Sequence, residues 1–562
     1  MMTRTNDTNG KNAAEIRLED ARNSHALGKG ALARGALCSL ALAAVLGIAG
    51  CAGNIASSIQ GHKGNVDTEM ALSDGYAAEA DGGYCGTFCY PNTEEYATIA
   101  EHGFVRTGKQ PLSTFASDID TASYCNLRRM ISQGYGVGDI PDGAARVEEM
   151  LNYFDYGYAS PEPGELFGVS AEIADCPWNS ESKLMIVGVT ASDKEVRRSA
   201  GNNFVFLIDV SGSMADENKL DLLQDSFGCL LDNLGDDDTI SIVTYASEER
   251  IVLAGAKGSE RRKIMRAIDS LEAGGSTNGQ AGLAMAYEVA RENFIEGGNN
   301  RIILASDGDL NVGITSDEEL SDYVSEMKDS GIYLSVLGFG DGNYKDSKME
   351  RIADDGNGAY YYVDCIGEAE RIFGEDLQST LVTVADDAKM QIEFDSDYVS
   401  EYRQIGYENR EMTEREFDDD RADAGEIGAG CSVTVAYEIV LTDKAQEAGS
   451  ESDWMDLTIR YKDPGGREVH ERSFGIGAQD CTLSPSDDWA FASSVIEFAM
   501  VVNDSEFAGC SSEREIERLL ERVDARNDPK RAEFAKLVSA AFDQELPRYE
   551  PVEEDDGSVI CY

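Results

Sequence analysis

The sequence predicts an α/β protein: a doubly wound, mostly parallel sheet inserted in a β-sandwich, followed by a helical C-terminal part. Three observations predict it. From Gly201 to about Asp386, short apolar runs alternate with stretches of helical periodicity. Strand-like runs flank that block on both sides, Val169–Ile173 and Leu184–Val189 before it and Met390–Phe394, Ser432–Val440 and Met455–Tyr461 after it. Beyond them, Trp489–Val502, Ser512–Arg522 and Lys530–Phe542 have helical periodicity.

Within the central block, strands are predicted at 204–208, 239–244, 250–254, 301–306, 332–338 and 359–363. Helices are predicted at 219–234, 259–271, 279–295, 317–329, 346–354 and 367–381. Two strands alone cannot hide an apolar face. The early pair is therefore expected to join the later strands in one antiparallel sandwich, with the ends of the inserted block close together and its ligand loops facing away. The chain divides into a leader at 1–51, a flexible tether at 52–108, an N-terminal segment at 109–200, the α/β block at 201–386, a β-rich part at 387–480 and a helical region at 481–562.

The leader carries Arg4, Lys11, Arg17, Arg22, Lys29 and Arg34 ahead of an apolar stretch, Ala36–Ile48, too short to span a bilayer. Ile48-Ala49-Gly50-Cys51 resembles a bacterial lipobox, which implies lipidation at Cys51, export, and membrane attachment by the lipid anchor only. Of twelve cysteines, Cys38 leaves with the leader and Cys51 takes lipid. The even remainder in an exported chain suggests disulfides. Acidic residues number 105 against 48 Lys plus Arg, a formal charge of −57. That balance argues against nucleic acid as a partner.

Asn203–Met214 reads NFVFLIDVSGSM. A buried parallel strand ends in Asp209, and Ser211 and Ser213 follow at its carboxyl end, where open α/β sheets bind ligands. Carboxylate and hydroxyl oxygens are hard donors that suit Mg²⁺, Mn²⁺ or Ca²⁺. Gly274–Thr277 reads GGST in a loop, and Arg301–Asp307 reads RIILASD, a second strand ending in an aspartate. The ordered set Asp209, Ser211, Ser213, Thr277 and Asp307 resembles the metal ion-dependent adhesion site of von Willebrand factor type A domains, whose fold is Rossmann-like. The resemblance implies that these five residues hold one Mg²⁺ (or Mn²⁺/Ca²⁺), with an open position for water or for a carboxylate offered by a protein or glycan partner.

Further stretches extend the likeness. PLSTFASDIDTASY from Pro111, ARVEEMLNYFDYGY at Ala145–Tyr158, Gly340–Asp364 and Glu401–Gly430 are similar to a family of bacterial type A lipoproteins, over roughly Pro91 to Gln544. In that family a histidine commonly follows the position of Gly430. Here it is Cys431, so a role of that histidine does not carry over. Asp118 and Asp120 leave two readings open, a second metal site or helix-capping and turn roles.

Four histidines, His25, His62, His102 and His470, provide no frame for a Ser-His-Asp triad or an H-E-x-x-H zinc site. No catalytic residue is assigned, and the chain is expected not to be an enzyme. Three functions stay in view. The first is a lipid-anchored envelope protein that binds a protein or glycan through the metal. The second is an envelope-assembly scaffold with a structural metal. The third is a hydrolase with an unrecognised site. Cys51→Ser is expected to abolish lipid labelling and shift the chain out of membrane fractions; unchanged labelling removes the anchor assignment.

Overall fold

A computed structural model describes residues 94–543, apart from 194–200, 277–278, 309–316, 329, 343, 376–381, 423 and 450–451, together with the strand pair Val552–Glu553 and Val559–Ile560. The leader, Cys51 and most of the expected tether lie outside the described residues. The described residues belong to one compact unit.

The elements in chain order are β1 (Val105–Arg106), β2 (Leu112–Ala116), α1 (Ala122–Ser132), α2 (Val147–Asn152), β3 (Phe167–Asp175) and β4 (Lys183–Ala191). Next come β5 (Asn202–Asp209), α3 (Leu222–Asn233), β6 (Thr239–Tyr245), β7 (Glu249–Lys257), α4 (Arg261–Ile268), α5 (Gly279–Glu292), β8 (Asn299–Ser306), α6 (Asp317–Lys328), β9 (Tyr333–Phe339), α7 (Asp346–Asp355), β10 (Tyr360–Val363) and α8 (Ile366–Glu370). The chain continues through β11 (Thr383–Phe394), β12 (Val399–Ile405), β13 (Gly425–Gly428), β14 (Ser432–Leu441), β15 (Asp453–Lys462) and β16 (Val469–Gly477). Three helices follow, α9 (Asp487–Val502), α10 (Glu513–Leu520) and α11 (Pro529–Asp543).

The central sheet runs β10-β9-β8-β5-β6-β7, parallel throughout except for the antiparallel edge strand β7. β5 and β8 lie inside it and are buried on both faces. This is why they read as unbroken apolar runs rather than alternating ones.

The sandwich is built from both sides of that block. One sheet runs β1-β12-β14-β4-β3, and the other runs β13-β11-β15-β16, with β2 also pairing β11. β4 pairs antiparallel with β14 from Ser432↔Thr190 to Ile439↔Lys183. The early pair therefore does join the later strands, and the α/β block is an insertion between β4 and β11. The alternation of β4 explains its place. Met185, Val187 and Val189 point into the sandwich core with Met390, Ile392 and Phe394. Leu184 and Ile186 point the other way, under α9.

The block's entry and exit meet at β8. Asn202 on β5 pairs with Asn299 on β8, while Arg301 Nη2 donates to Thr383 Oγ1 at 3.2 Å, at the start of β11. Asp209 and Asp307 lie at the opposite, carboxyl ends of these strands, away from the sandwich.

The tether boundary needs correction. Residues 94–108 belong to the body: Glu94 forms an ion pair with Arg129 at 3.0 Å, and Val105–Arg106 pairs with Tyr402 and Glu401. The short polar stretch offers little apolar periodicity, and its order comes from these long-range contacts. The disulfide expectation also changes. Cys125, Cys176, Cys229, Cys365, Cys431, Cys481 and Cys510 are all free thiols. Cys125 lies on α1 and Cys229 on α3, the other five lie in connections, and Cys125 and Cys176 are within the apolar core.

Buried ion pairs join the N-terminal segment to the block. Arg146 donates to Glu149 and Asp346, each at 2.8 Å, and pairs with Glu350 at 2.8 Å on α7. Arg410 bridges Asp118, Asp120 and Asp354 at 3.2, 3.3 and 2.7 Å. Arg128 and Arg371 clasp Glu368 on α8 at 3.1 and 2.6 Å.

α9 is apolar nearly all round and is buried all round. Ser486 caps it by accepting from the Trp489 amide at 3.0 Å, with Asp487 and Asp488 favourable in the first turn. Glu497 sits in its middle, fully buried. Burial pushes this carboxyl up from 4.5 to about 7, with Glu515 adding in the same direction against Ser511 and Arg518. A carboxyl raised in the folded state holds its proton better there than in the unfolded chain. Its penalty is absent below pH 4.5, grows as pH rises, and is complete above about 7. Glu497→Gln is therefore expected to stabilise the protein by roughly 2–3 kcal/mol at pH 8 and negligibly at pH 4, read by denaturant unfolding at the two pH values.

Candidate metal centre

The site forms where two adjacent parallel strands end. β5 delivers Asp209 and β8 delivers Asp307, one residue beyond its last paired position. Past Asp209 the backbone turns sharply. The Ser211 amide donates to Asp209 Oδ1 at 2.8 Å, and the Ser211 and Ser213 hydroxyls lie 2.9 Å apart. Ser306, just before Asp307, donates to Asp209 Oδ2 at 3.4 Å. Four of the five expected ligands thus come together on one rim: Asp209, Ser211, Ser213 and Asp307.

Thr277 lies outside the described residues. The loop that carries it is nevertheless docked on the turn. The Gly274 amide donates to the Val210 carbonyl at 2.8 Å, and the Gly212 amide donates to the Gly275 carbonyl at 3.1 Å. Gly275 adopts φ +89°, and a Cβ there would meet Ser247 Oγ at 2.6 Å. A glycine is therefore required for the loop to lie this close.

The electrostatics are those of a confined acidic pair. Asp209 is fully buried and Asp307 is 2% exposed. Burial, reinforced by Asp307, pushes the Asp209 carboxyl up to about 6 against the hydrogen bonds from Ser211. Asp307 Oδ1 is buried and has no hydrogen-bond partner among the described residues. An orphaned carboxylate oxygen in the interior is costly unless something cationic or protic meets it. With two hydroxyls and a second carboxylate beside it, the donor set is all oxygen and fits Mg²⁺ or Mn²⁺.

Sequence reasoning missed Lys219. Its side chain is 6% exposed, and its Nζ donates to Asp307 Oδ2 at 3.1 Å and to the Ser213 carbonyl at 3.0 Å. It sits in a π turn, Glu217–Asp221, that opens the helix, where a lysine reads as an ordinary solvated residue. Ser306 was missed too, as a small residue inside an apolar run.

The other candidates are already satisfied. Asp118 and Asp120 share Arg410, and Asp120 Oδ1 also accepts from the Tyr360 amide at 2.8 Å. The pair is a joint between segments, which favours the turn reading over a second metal site. Cys125, Asp364 and Glu368 approach one another closely enough for a cation. However, Arg128 already binds both carboxylates, and burial holds the Cys125 thiol well above its ordinary value. His470 Nε2 lies 3.4 Å from Asp463. Cys431, standing where the family commonly has histidine, accepts the Ala191 amide at its carbonyl and serves the β4–β14 edge.

Comparison with known proteins follows these boundaries. Residues 203–378 match the von Willebrand factor type A domain, 90–186 match a von Willebrand factor family, and 379–543 match the C-terminal family of uncharacterized protein YfbK. The Escherichia coli protein YfbK is 38% identical over 474 residues, covering 80% of this chain and 81% of that one. Human inter-alpha-trypsin inhibitor heavy chain H4 is 30% identical over 165 residues, 28% of this chain and 17% of its own. Among solved structures, a von Willebrand factor type A protein from Catenulispora acidiphila is 16% identical, covers 68% of this chain and 91% of its own, and superposes with a TM-score of 0.40.

Gly340, at φ +77°, packs against the Lys219 stem, and a Cβ there would meet Lys219 Cε at 2.2 Å. Gly340→Ala is expected to destabilise the protein by about 1–3 kcal/mol in thermal or denaturant unfolding, through the positive φ and the displaced lysine together.

Proposed function

Because this chain belongs to the YfbK family of von Willebrand factor type A domain proteins, a domain class that commonly mediates protein interactions, we propose that it is a non-enzymatic envelope protein that grips a partner through a divalent cation. The cation is Mg²⁺ or Mn²⁺, held by Asp209, Ser211, Ser213, Thr277 and Asp307. Its open position accepts a carboxylate from a protein or glycan. Cys51 carries the lipid that keeps the exported chain on the outer side of the cytoplasmic membrane.

One observation carries this reading: the oxygens of Asp209, Ser211, Ser213 and Asp307 gather at one end of β5 and β8, and one of them, Asp307 Oδ1, is buried without a partner among the described residues. The position supports binding to a large partner, since the rim faces away from the sandwich and is not enclosed by it. Hydroxyl ligands carry no charge, which leaves the cation electrophilic enough to take an external acid. A catalytic Mg²⁺ would call for a base or a phosphate clamp beside it.

A second reading, a scaffold whose metal only stiffens the loops, is favoured by the buried arginine pairs that fix α7 and α8 to the neighbouring segments. The two separate in one experiment. Asp209→Ala and Asp307→Ala are expected to lose Mn²⁺ binding in calorimetric titration while unfolding cooperatively. Pull-down from envelope extracts is expected to capture a partner with wild type in Mg²⁺, and not in EDTA or with Asp209→Ala. Partner capture that ignores both EDTA and the substitution rejects the metal-bridged reading. Metal-dependent melting with no metal-dependent partner supports the scaffold.

A further inference from the structure

We propose that Lys219 is a built-in counter-ion of the metal site and lowers its affinity by charge competition; this rests on the metal-binding reading above. Three observations carry it. The ammonium is buried, so its charge is poorly screened by solvent. It occupies one oxygen of Asp307, Oδ2 at 3.1 Å, and leaves the other, Oδ1, buried with no partner among the described residues. It is also fixed in place: the Ser213 carbonyl accepts a second hydrogen bond at 3.0 Å, and the aliphatic stem lies against Gly340, whose missing side chain makes the room.

The consequence follows from charge. Without a cation, Asp209 and Asp307 place two carboxylates in a buried pocket, and Lys219 halves that excess. The metal-free site is therefore tolerable, with no need to protonate both acids or to swing them into solvent. When a divalent cation binds, the same ammonium becomes a like charge a few ångströms away. Lys219 thus stabilises the empty site and opposes the filled one, which keeps metal occupancy responsive to the surrounding concentration. It also withholds electron density from Asp307, so a bound cation would retain more appetite for an external carboxylate. Asp216 Oδ2 lies 3.7 Å from Nζ, but its side chain is 73% exposed and contributes little.

The test compares wild type, Lys219→Met, Lys219→Arg and Asp307→Asn, each as the full exported chain. The measurements are Mn²⁺ titration followed by electron paramagnetic resonance and melting with and without Mg²⁺. Lys219→Met is expected to bind Mn²⁺ about tenfold or more tightly, to melt lower without metal, and to gain more from Mg²⁺ than wild type does. Lys219→Arg, which keeps the charge, is expected to stay within about threefold of wild type. Were Lys219 only a packing residue, the methionine variant would melt lower by the same margin with and without metal. Equal or weaker Mn²⁺ affinity in Lys219→Met overturns the inference while leaving the metal site standing. Mn²⁺ binding that survives Asp307→Asn unchanged, or is absent from wild type and Lys219→Met alike, overturns the site itself and the inference with it. Binding seen only in Lys219→Met supports the counter-ion in its strongest form.

Discussion

Buried guanidinium groups hold this molecule together at its joints. Arg146, Arg410 and Arg128 each face two or more carboxylates, drawn from other segments as well as their own, in places that water scarcely reaches. An acidic chain that packs three segments against one another inevitably carries some carboxylates inward. Arginine suits the task because its planar fork addresses several of them at once and never loses its proton. The acids still feel the crowding: Asp354 is pushed up to about 6 by burial despite Arg410. Removing one such arginine leaves its carboxylates buried and uncompensated, a loss on the order of 3–5 kcal/mol. The joints are thus strong against thermal fluctuation and sensitive to single substitutions.

The candidate metal centre applies the same physics in reverse. At the joints one guanidinium reaches every carboxylate it faces. At the ends of β5 and β8 the protein supplies one ammonium for two carboxylates and leaves an oxygen unmet among the described residues. The contrast with Asp118 and Asp120 is instructive. Both sites begin as aspartates spaced by two along the chain or across adjacent strands. What separates a joint from a candidate ligand site is whether an arginine from elsewhere arrives.

Much of this was legible in the sequence, for a physical reason. β5 and β8 lie inside a parallel sheet, so an unbroken apolar run of four or five residues and an aspartate at its carboxyl end mark them. The D-x-S-x-S turn is local, and local geometry is written in neighbouring residues. β12 was not legible. Its Arg403 is 1% exposed and looks like a surface residue until Glu438, also buried, is found opposite at 2.8 Å on β14. β16 is an edge strand with exposed charges, and β2 has only five residues. Lys219 escaped for the same reason as Arg403: a buried charge is intelligible only beside its partner, and the partner comes from far along the chain.

The insertion also sets an order of assembly. β4 must hydrogen-bond to β14, and Thr190 and Ser432 are 242 residues apart. For an unfolded chain, closing a loop of that length is entropically expensive, and such non-local pairing is slow. Once the α/β block has folded, its two ends are drawn to the same place, around Arg301, and the open span shrinks to the segments between β4 and β5 and between β11 and β14. The block acts as a staple that forms before the sheet it closes. Until it does, β3 and β4 wait as a hairpin with an unpaired edge, and that interval is when the nascent chain is most exposed to wrong partners.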